Sequence, residues 1–384
     1  MGLVLVSAAS VAIWLYLLFG RGAFWRMREA PPEGTLPIPP PSVVAVIPAR
    51  NEAPVVGQAV ASLAAQRYPA AFHIVLADDD SRDGTADAAR AASLERLTPD
   101  LLTPDLLTVV RADPLPQGWT GKLWALSQGI RAAQPFDPEY LLLTDADIVH
   151  PPDNVAALVA RATSGGYDLV SYMVKLRCRT VAEQALIPAF VFFFFMLYPP
   201  AWVTDPGHAA AAGGCILIRR QTLESLGGIA RIRGELIDDC ALARAVQQAG
   251  GRVWLGLSPA TRSIRAYTGF AEIGLMISRT AFTQLGHSTL LLLATALSLV
   301  LAYVVPPALA LFAPPGASRG LAAIAWLLMS IAYWPALRYY GRPAWWAPGL
   351  PLVAAFYLGA TLHSAVAYWR GAGGMWKGRA QDSV

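Results

Sequence analysis

Two carboxylates one residue apart, Asp145 and Asp147, close the apolar run Leu141-Leu142-Leu143-Thr144-Asp145-Ala146-Asp147-Ile148. Acids this close repel each other unless a cation stands beside them. A hard divalent ion, Mg2+ or Mn2+, held by one or two carboxylates, water and phosphate oxygens, relieves that repulsion and suits departure of a diphosphate. Taken alone, an Asp-x-Asp is more often a turn whose acids cap the next segment, so the neighbouring motifs must decide. One of them is Asp78-Asp79-Asp80-Ser81-Arg82-Asp83-Gly84-Thr85. Three consecutive acids cost repulsion that a simple turn does not require, which points Asp79 toward a ligand, while Asp83 and Thr85 suit a helix start. Another is Gly118-Trp119-Thr120-Gly121-Lys122, which sets Lys122 at a helix N-terminus, a natural place for phosphate.

The elements that must position these residues alternate. Apolar runs predict strands over 43–47, 72–77, 107–110 and 140–144, and amphipathic stretches predict helices over 54–66, 84–92 and 121–133. Alternating strands and helices predict an α/β fold with a mostly parallel sheet, whose ligands collect where the strands end. Pro48-Ala49-Arg50-Asn51-Glu52 follows the first strand, so Arg50, Asn51 and Glu52 belong to that rim. The doubled Leu-Thr-Pro-Asp-Leu at 97–106 reads as a duplicated surface loop.

With 384 residues, 55% hydrophobic and only 15% charged, the chain is too apolar for an ordinary soluble protein. Residues 1–20 read as a retained membrane anchor, because Arg21, Arg26 and Arg28 follow with no small-residue cleavage site. A basic, Pro-rich linker (21–41) leads to a domain at 42–288. Apolar stretches at 289–312, 321–340 and 344–369 make 289–370 a C-terminal membrane region, with a tail at 371–384. Pro306, Pro307, Pro348 and Pro351 leave the first and third open to a re-entrant reading. The Phe-rich segment 181–203 is a poor span because of Glu183, Gln184, Pro188, Pro199 and Pro200. It reads either as interfacial or as a buried helix of the domain. The net charge of +4 sits beside the apolar stretches, which favours anionic lipid headgroups over nucleic acid. Cys178, Cys215 and Cys240 show neither paired nor metal-ligand spacing, which fits a reduced compartment.

Pro48-x-x-Asn51-Glu52, then Asp78-Asp79-x-Ser81-x-Asp83-Gly84-Thr85, then Asp145-x-Asp147, in this order and spacing, resemble the family 2 glycosyltransferases, whose nucleotide-sugar domain has the GT-A fold. The resemblance runs over about two thirds of the chain. It implies that Pro48, Arg50, Asn51, Glu52 and Lys122 contact the donor, that Asp79 contacts uracil, and that Asp145 and Asp147 hold a divalent metal on the diphosphate of a UDP-sugar. Gly213 and Gly214 resemble the small-residue strand that lines the donor sugar. Ile237-Asp238-Asp239-Cys240-Ala241-Leu242 is similar to the family's Glu-Asp-x-x-Leu element, which makes Asp239 the catalytic base. Asp238 replaces the Glu, as an N-cap or in a direct role.

The implied reaction is a single inverting displacement. The family's Gln-x-x-Arg-Trp run of processive members is absent; residues 277–284 read Ile-Ser-Arg-Thr-Ala-Phe-Thr-Gln, so one sugar per acceptor is expected. Arg279, Gln284 and His208 are possible diphosphate or acceptor contacts, with a structural role the alternative for His208. Gly118-Trp119-x-Gly121-Lys122 and Arg279-Thr280-Ala281-Phe282-Thr283-Gln284-Leu285 resemble the bacterial hopanoid-associated glycosyltransferases, and the layout resembles the ceramide glucosyltransferases. That resemblance implies a lipid hydroxyl as acceptor, brought near by interfacial segments at 181–203 and 269–288. It implies a multi-pass protein of the bacterial cytoplasmic membrane with its domain in the cytoplasm. A polyprenyl phosphate acceptor, which needs no strong base, and a non-enzymatic scaffold that binds a nucleotide sugar are the alternatives. Three full C-terminal spans would put the tail outside, whereas Arg370, Lys377 and Arg379 favour inside, and the sequence leaves the two open.

Overall fold

The computed structural model describes residues 1–29, 34–94, 106–376 and 379–380. The Pro31-Pro32 part of the linker and all but the last residue of the doubled Leu-Thr-Pro-Asp-Leu lie outside the described residues. After helix α1 (Gly2–Leu15) come β1 (Val43–Ala49), α2 (Ala53–Ala64), β2 (Phe72–Asp78), α3 (Thr85–Leu94), β3 (Leu107–Arg111), α4 (Gly121–Ala133) and β4 (Tyr140–Thr144). Then follow β5 (Ile148–Val149), α5 (Asn154–Gly165), β6 (Leu169–Lys175), α6 (Val181–Leu197), β7 (Cys215–Arg219), α7 (Arg220–Ser225), α8 (Asp238–Gln248) and β8 (Val253–Ser263). The last helices are α9 (Phe270–Ala281), α10 (Thr289–Leu299), α11 (Val305–Phe312), α12 (Ala317–Tyr339) and α13 (Leu350–Trp369).

Eight strands form one sheet in the order β3-β2-β1-β4-β7-β6-β8-β5. The β3-β2-β1-β4 part is parallel throughout, as the alternating pattern predicts, and β7 turns the sheet by pairing antiparallel to both β4 and β6. Every residue of β1 and β4 is buried, because helices cover both faces. Alternate side chains part to opposite sides: Val44, Val46, Leu141 and Leu143 join one core, and Val43, Ala45, Ile47 and Leu142 the other. Chain order reverses between β1 and β4. The crevice outside their carboxyl ends is therefore where a doubly covered sheet takes its ligand, and Glu52 and Asp145 stand there.

The first of these cores has no boundary with the apolar helices. Trp14 of α1, Phe192 of α6, Tyr333 of α12 and Tyr357 of α13 belong to the same buried cluster as Val46 and Leu143. Among the described residues, five helical segments are long and apolar enough to cross a membrane: Gly2–Gly20, Val181–Trp202, Thr289–Phe312, Ala317–Tyr339 and Ala344–Trp369. The second, unlike the others, is more than half buried inside the protein; it lies between β6 and β7, which pair directly, Leu169 opposite Ile218 and Ser171 opposite Ile216. α6 starts from a full capping box: Thr180 Oγ1 accepts from the Glu183 amide at 3.2 Å, and Glu183 Oε2 accepts from the Thr180 amide at 2.9 Å. Glu183 Oε1 also accepts from the Tyr267 amide at 2.8 Å, which ties this start to the approach of α9.

Candidate active site

The sheet brings five carboxylates to its carboxyl edge. Asp145 follows β4 directly, and Asp147 is held by the backbone beyond it: its carbonyl accepts from the Ile264 amide at 2.9 Å, and its Oδ2 accepts from Ser263 Oγ at 2.7 Å. Asp238 and Asp239 open α8, where a helix N-terminus favours negative charge. Ile237 takes the N-cap position, so Asp238 is not the cap. Glu52 ends the turn after β1, and its amide donates to Thr85 Oγ1 at 2.8 Å.

Lys122 joins three of these acids. It lies at the second position of α4, after the N-cap Thr120, and its Nζ stands 3.0 Å from Asp145 Oδ1 and 3.0 Å from Asp238 Oδ2. Burial works against the ammonium, but Asp145, Asp238 and Asp239 outweigh it and hold the group protonated well above its ordinary range. In the structure Lys122 thus serves carboxylates.

Asp239 is placed by two amides. Gly213 N–H donates to its Oδ2 at 2.8 Å, and the Cys240 amide donates to its Oδ1 at 2.7 Å. Burial first, and then the charge of Asp238, push the Asp239 carboxyl up from 3.8 to about 6, against the opposing pull of Lys122. Asp145 is raised for the same leading reason, with Lys122 lowering it and Asp147 and Asp238 raising it. Asp145, Asp238, Asp239, Lys122, Pro48 and Gly213 line one pocket. A methyl group on Gly213 would stand 3.3 Å from Asp239 Oδ2 and 3.4 Å from Lys122 Nζ, so the bare backbone serves the acid and the lysine. On Gly214 it would meet Val174 and Ile148, which is a packing constraint.

The rim after β1 and β2 is one knot of hydrogen bonds. Asn51 takes the left-handed conformation (φ 51°), which Asn tolerates; its amide donates to Ser81 Oγ at 2.9 Å and its Oδ1 accepts from the Arg82 amide at 3.0 Å. Arg50 NH1 donates to the Asp79 carbonyl at 2.5 Å and stands 3.1 Å from Asp79 Oδ2. Asp83 accepts from Ala53 N, Thr85 N and Thr85 Oγ1, so it caps helix starts.

The sequence did not point to Arg265. Its NH2 stands 2.7 Å from Glu52 Oε1 and its Nε 3.1 Å from Asp147 Oδ2, so one guanidinium spans two strand ends. No motif surrounds it; only the pairing of Ile148 with Ser263 carries it there. A second unforeseen feature is the polar network beneath the acids. Thr144 Oγ1 donates to the Gly214 carbonyl at 2.8 Å and therefore accepts from His150 Nε2 at 3.0 Å, while His150 Nδ1 accepts from Asn154 Nδ2 at 2.9 Å. Burial pushes the fully enclosed His150 down to about 3, so the ring is neutral.

The three expected acceptor contacts are dispersed. His208 is exposed, and its contacts run to Trp202 and the Pro206 carbonyl. Arg279 is exposed on α9, with Tyr267 as its charged-state neighbour. Gln284 Oε1 accepts from the Tyr198 hydroxyl at 2.9 Å, and Tyr198 in turn neighbours the Cys240 thiol, next in sequence to Asp239.

Among the described residues, Lys122 pairs with Asp145 and Asp238, and Arg265 with Glu52 and Asp147. The donors are hard oxygens with an excess of negative charge, which fits a divalent ion and would otherwise repel a diphosphate. Among the described residues no group of three or more His, Cys, Asp or Glu forms a closed metal cage. An ion here would complete its shell with water and phosphate oxygens, as Mg2+ requires.

Comparison with known proteins adds the following. The model of the family described as glycosyl transferase family 2 matches residues 44–227. The uncharacterized protein MJ1222 of Methanocaldococcus jannaschii is 28% identical over 127 residues, 33% of this chain and 44% of that protein, so the match spans less than half of that relative's length. Among solved structures, the mannosyltransferase PcManGT from Pyrobaculum calidifontis, in complex with GDP-Man and Mn2+, is 20% identical with a TM-score of 0.61, over 95% of this chain and 99% of that one. At that identity the likeness is one of fold. The glucosyl-3-phosphoglycerate synthase of Mycobacterium tuberculosis is 18% identical with a TM-score of 0.41, over 64% and 79%.

Proposed function

We propose that the chain, whose residues 44–227 match the glycosyl transferase family 2 model, is a nucleotide-sugar glycosyltransferase of that type that moves one sugar, with inversion, from a UDP-sugar to a hydroxyl of a membrane lipid. The observation that carries this reading is the setting of Asp239: a carboxylate fixed by two amides, raised to about 6, in the pocket that Lys122 and Asp145 share.

In the proposed step, Asp239 takes the proton of the acceptor hydroxyl as its oxygen bonds to the anomeric carbon. The bond from that carbon to the diphosphate oxygen breaks, and its electron pair leaves with the nucleoside diphosphate. A general base works best when its pKa is near the working pH, and a raised carboxyl meets that need. Lys122 holds Asp145 and Asp238 in place and keeps a positive charge beside the leaving group. Asp145 and Asp147 are the residues that would hold a divalent ion, which would supply charge neutralisation of the diphosphate. Asp79, fixed by Arg50, is assigned to the base of the nucleotide, and the bare backbone at Gly213 and Gly214 to the side of the sugar.

A lipid acceptor is supported by the continuous core that joins the domain to the apolar helices, and by the short path from the base through Tyr198 to Gln284, the turn that follows α9. α9 presents Phe270 and Leu275 outward, as an interfacial helix would. A hopanoid or another polyisoprenoid alcohol is the lipid we assign, on the resemblance of residues 118–122 and 279–285. We assign the protein to the bacterial cytoplasmic membrane with the domain on the nucleotide-sugar side.

The test is release of nucleoside diphosphate from a panel of UDP- and GDP-sugars by the full chain in lipid with Mg2+ or Mn2+, beside Asp147→Ala and Asp239→Asn. Release that needs a lipid alcohol and is lost in both variants is expected. Turnover that survives Asp239→Asn would move the acceptor to a polyprenyl phosphate.

A further inference from the structure

Arg265 holds an unusual position for a residue outside every motif. Its guanidinium bridges Asp147, a metal acid in the proposed function, and Glu52, and those two carboxylates are 6% and 7% exposed. The two partners come from opposite sides of the β1/β4 crevice. Asp147 does not depend on the arginine for its placement, because Ser263 Oγ and the Ile264 amide hold it through separate bonds of 2.7 and 2.9 Å. The arginine side chain remains 32% exposed, so its surroundings leave it room to move. Burial works against its charge, yet Asp147 and Glu52 outweigh that and keep it fully protonated.

We propose that Arg265 is the built-in counter-cation of the metal acid: it competes with the divalent ion for Asp147, and Glu52 is the carboxylate on which the guanidinium remains when the ion arrives. This rests on the metal-dependent reading given above. A fork with one partner on each side of the crevice can release one while keeping the other, which a single ion pair cannot do. A positive charge about 3 Å from a ligand oxygen repels an incoming divalent ion and occupies that oxygen, so its removal should tighten metal binding. Between turnovers the arginine would neutralise buried acids that otherwise repel one another.

The assignment makes two variants move in opposite directions. Arg265→Gln removes the competitor and is expected to tighten Mn2+ binding about ten-fold. Glu52→Gln removes the alternative partner, leaves the guanidinium to Asp147 alone, and is expected to weaken Mn2+ binding by a similar factor. Arg265→Lys keeps the charge and is expected to stay near wild type. The readout is free Mn2+ by electron paramagnetic resonance, titrated into the full chain in detergent without any sugar donor, with thermal unfolding of each variant alongside and Asp147→Asn as the control that loses the site. An Arg265→Gln protein that binds Mn2+ equally or more weakly overturns the proposal, and so do losses of the same sign in Arg265→Gln and Glu52→Gln, the mark of a purely structural bridge. A wild type that takes up no Mn2+ overturns both this proposal and the metal-dependent reading. Uptake lost in Asp147→Asn but indifferent to Arg265 overturns the arginine assignment alone.

Discussion

Gly213 and Asp239 are joined by a 2.8 Å hydrogen bond from backbone amide to Oδ2, across 26 residues of chain. The bond lets the turn before β7 aim a carboxylate that stands on a helix. It also leaves little space, since a Cβ at this glycine would stand 3.3 Å from that oxygen.

Gly213→Ala is therefore expected to displace Asp239 and Lys122 by a few tenths of an ångström without unfolding the sheet. Turnover should fall at least about ten-fold, because misplacement of a reacting group costs rate steeply. Melting temperature should move little. Steady-state rates beside a thermal melt check this; a protein with normal kcat and a changed donor KM would assign Gly213 to sugar contact alone.

The raised Asp239 carboxyl sets the pH dependence. A base must be unprotonated to act, so activity is expected to rise with pH through about 6 and to fall about ten-fold per unit below it. An unperturbed aspartate would place that limb near 3.8. The rate at saturating donor between pH 4.5 and 8 locates it, and Asp239→Asn should lower the rate on the alkaline plateau by about 10²- to 10⁴-fold and abolish this limb.

Much of this was legible in the sequence, for local reasons. Continuous apolar runs at 43–47 and 140–144 marked buried strands, and Asp145 fell at a strand end because the run stops there. The four-stranded parallel part followed from alternation, whereas the order beyond β4 did not, since β7, β6 and β8 meet through long-range pairing that leaves no periodic signature. Arg265 and Ser263 are placed by the same pairing, and a serine and an arginine after a strand are unremarkable in one dimension. The polar network under Thr144 was equally silent. His150 looked like any histidine next to a strand, and its partners Thr144 and Asn154 are on different elements.

That network yields a stability prediction. His150 is neutral in the fold with its pKa pushed down to about 3, while the unfolded chain takes up a proton below about 6.5. Its contribution to stability is whole above pH 6.5 and is lost as pH falls toward 3, at about 1.4 kcal/mol per pH unit. His150→Leu abolishes this titration but removes the donor to Thr144 Oγ1 and an acceptor of Asn154 Nδ2, at about 1–3 kcal/mol near neutral pH. Melts in detergent at pH 7.5 and 5 should show the gap between wild type and variant narrowing in acid. A constant gap would mean that the ring is protonated in the fold or exposed.

The long apolar helices obey the same accounting of donors and acceptors. The helical segment Thr289–Phe312 does not break at Pro306 and Pro307; it passes through a π turn, Val300–Val304, in which the Val305 amide bonds the Val300 carbonyl. That register frees the Leu301 carbonyl, and Pro306, lacking an N–H, frees that of Ala302. Both are caught by α1: Ser10 Oγ donates to Leu301 O at 2.8 Å, and Trp14 Nε1 donates to Ala302 O at 2.8 Å. Four residues separate Ser10 from Trp14, one turn of helix, which matches the adjacent carbonyls they serve. Trp14→Phe keeps the buried ring but removes the donor. It is expected to cost about 0.6–2 kcal/mol, the range for hydrogen bonds between helices in an apolar medium. The measurement is the melting temperature in detergent of Trp14→Phe, Ser10→Ala and the double variant. If α1 serves the π turn, each single change lowers it and the double lowers it further, whereas restoring the lost amide with Pro306→Ala makes the Trp14→Phe change smaller. An undiminished effect in the Pro306→Ala background would show that Trp14 acts by packing against Tyr303 alone.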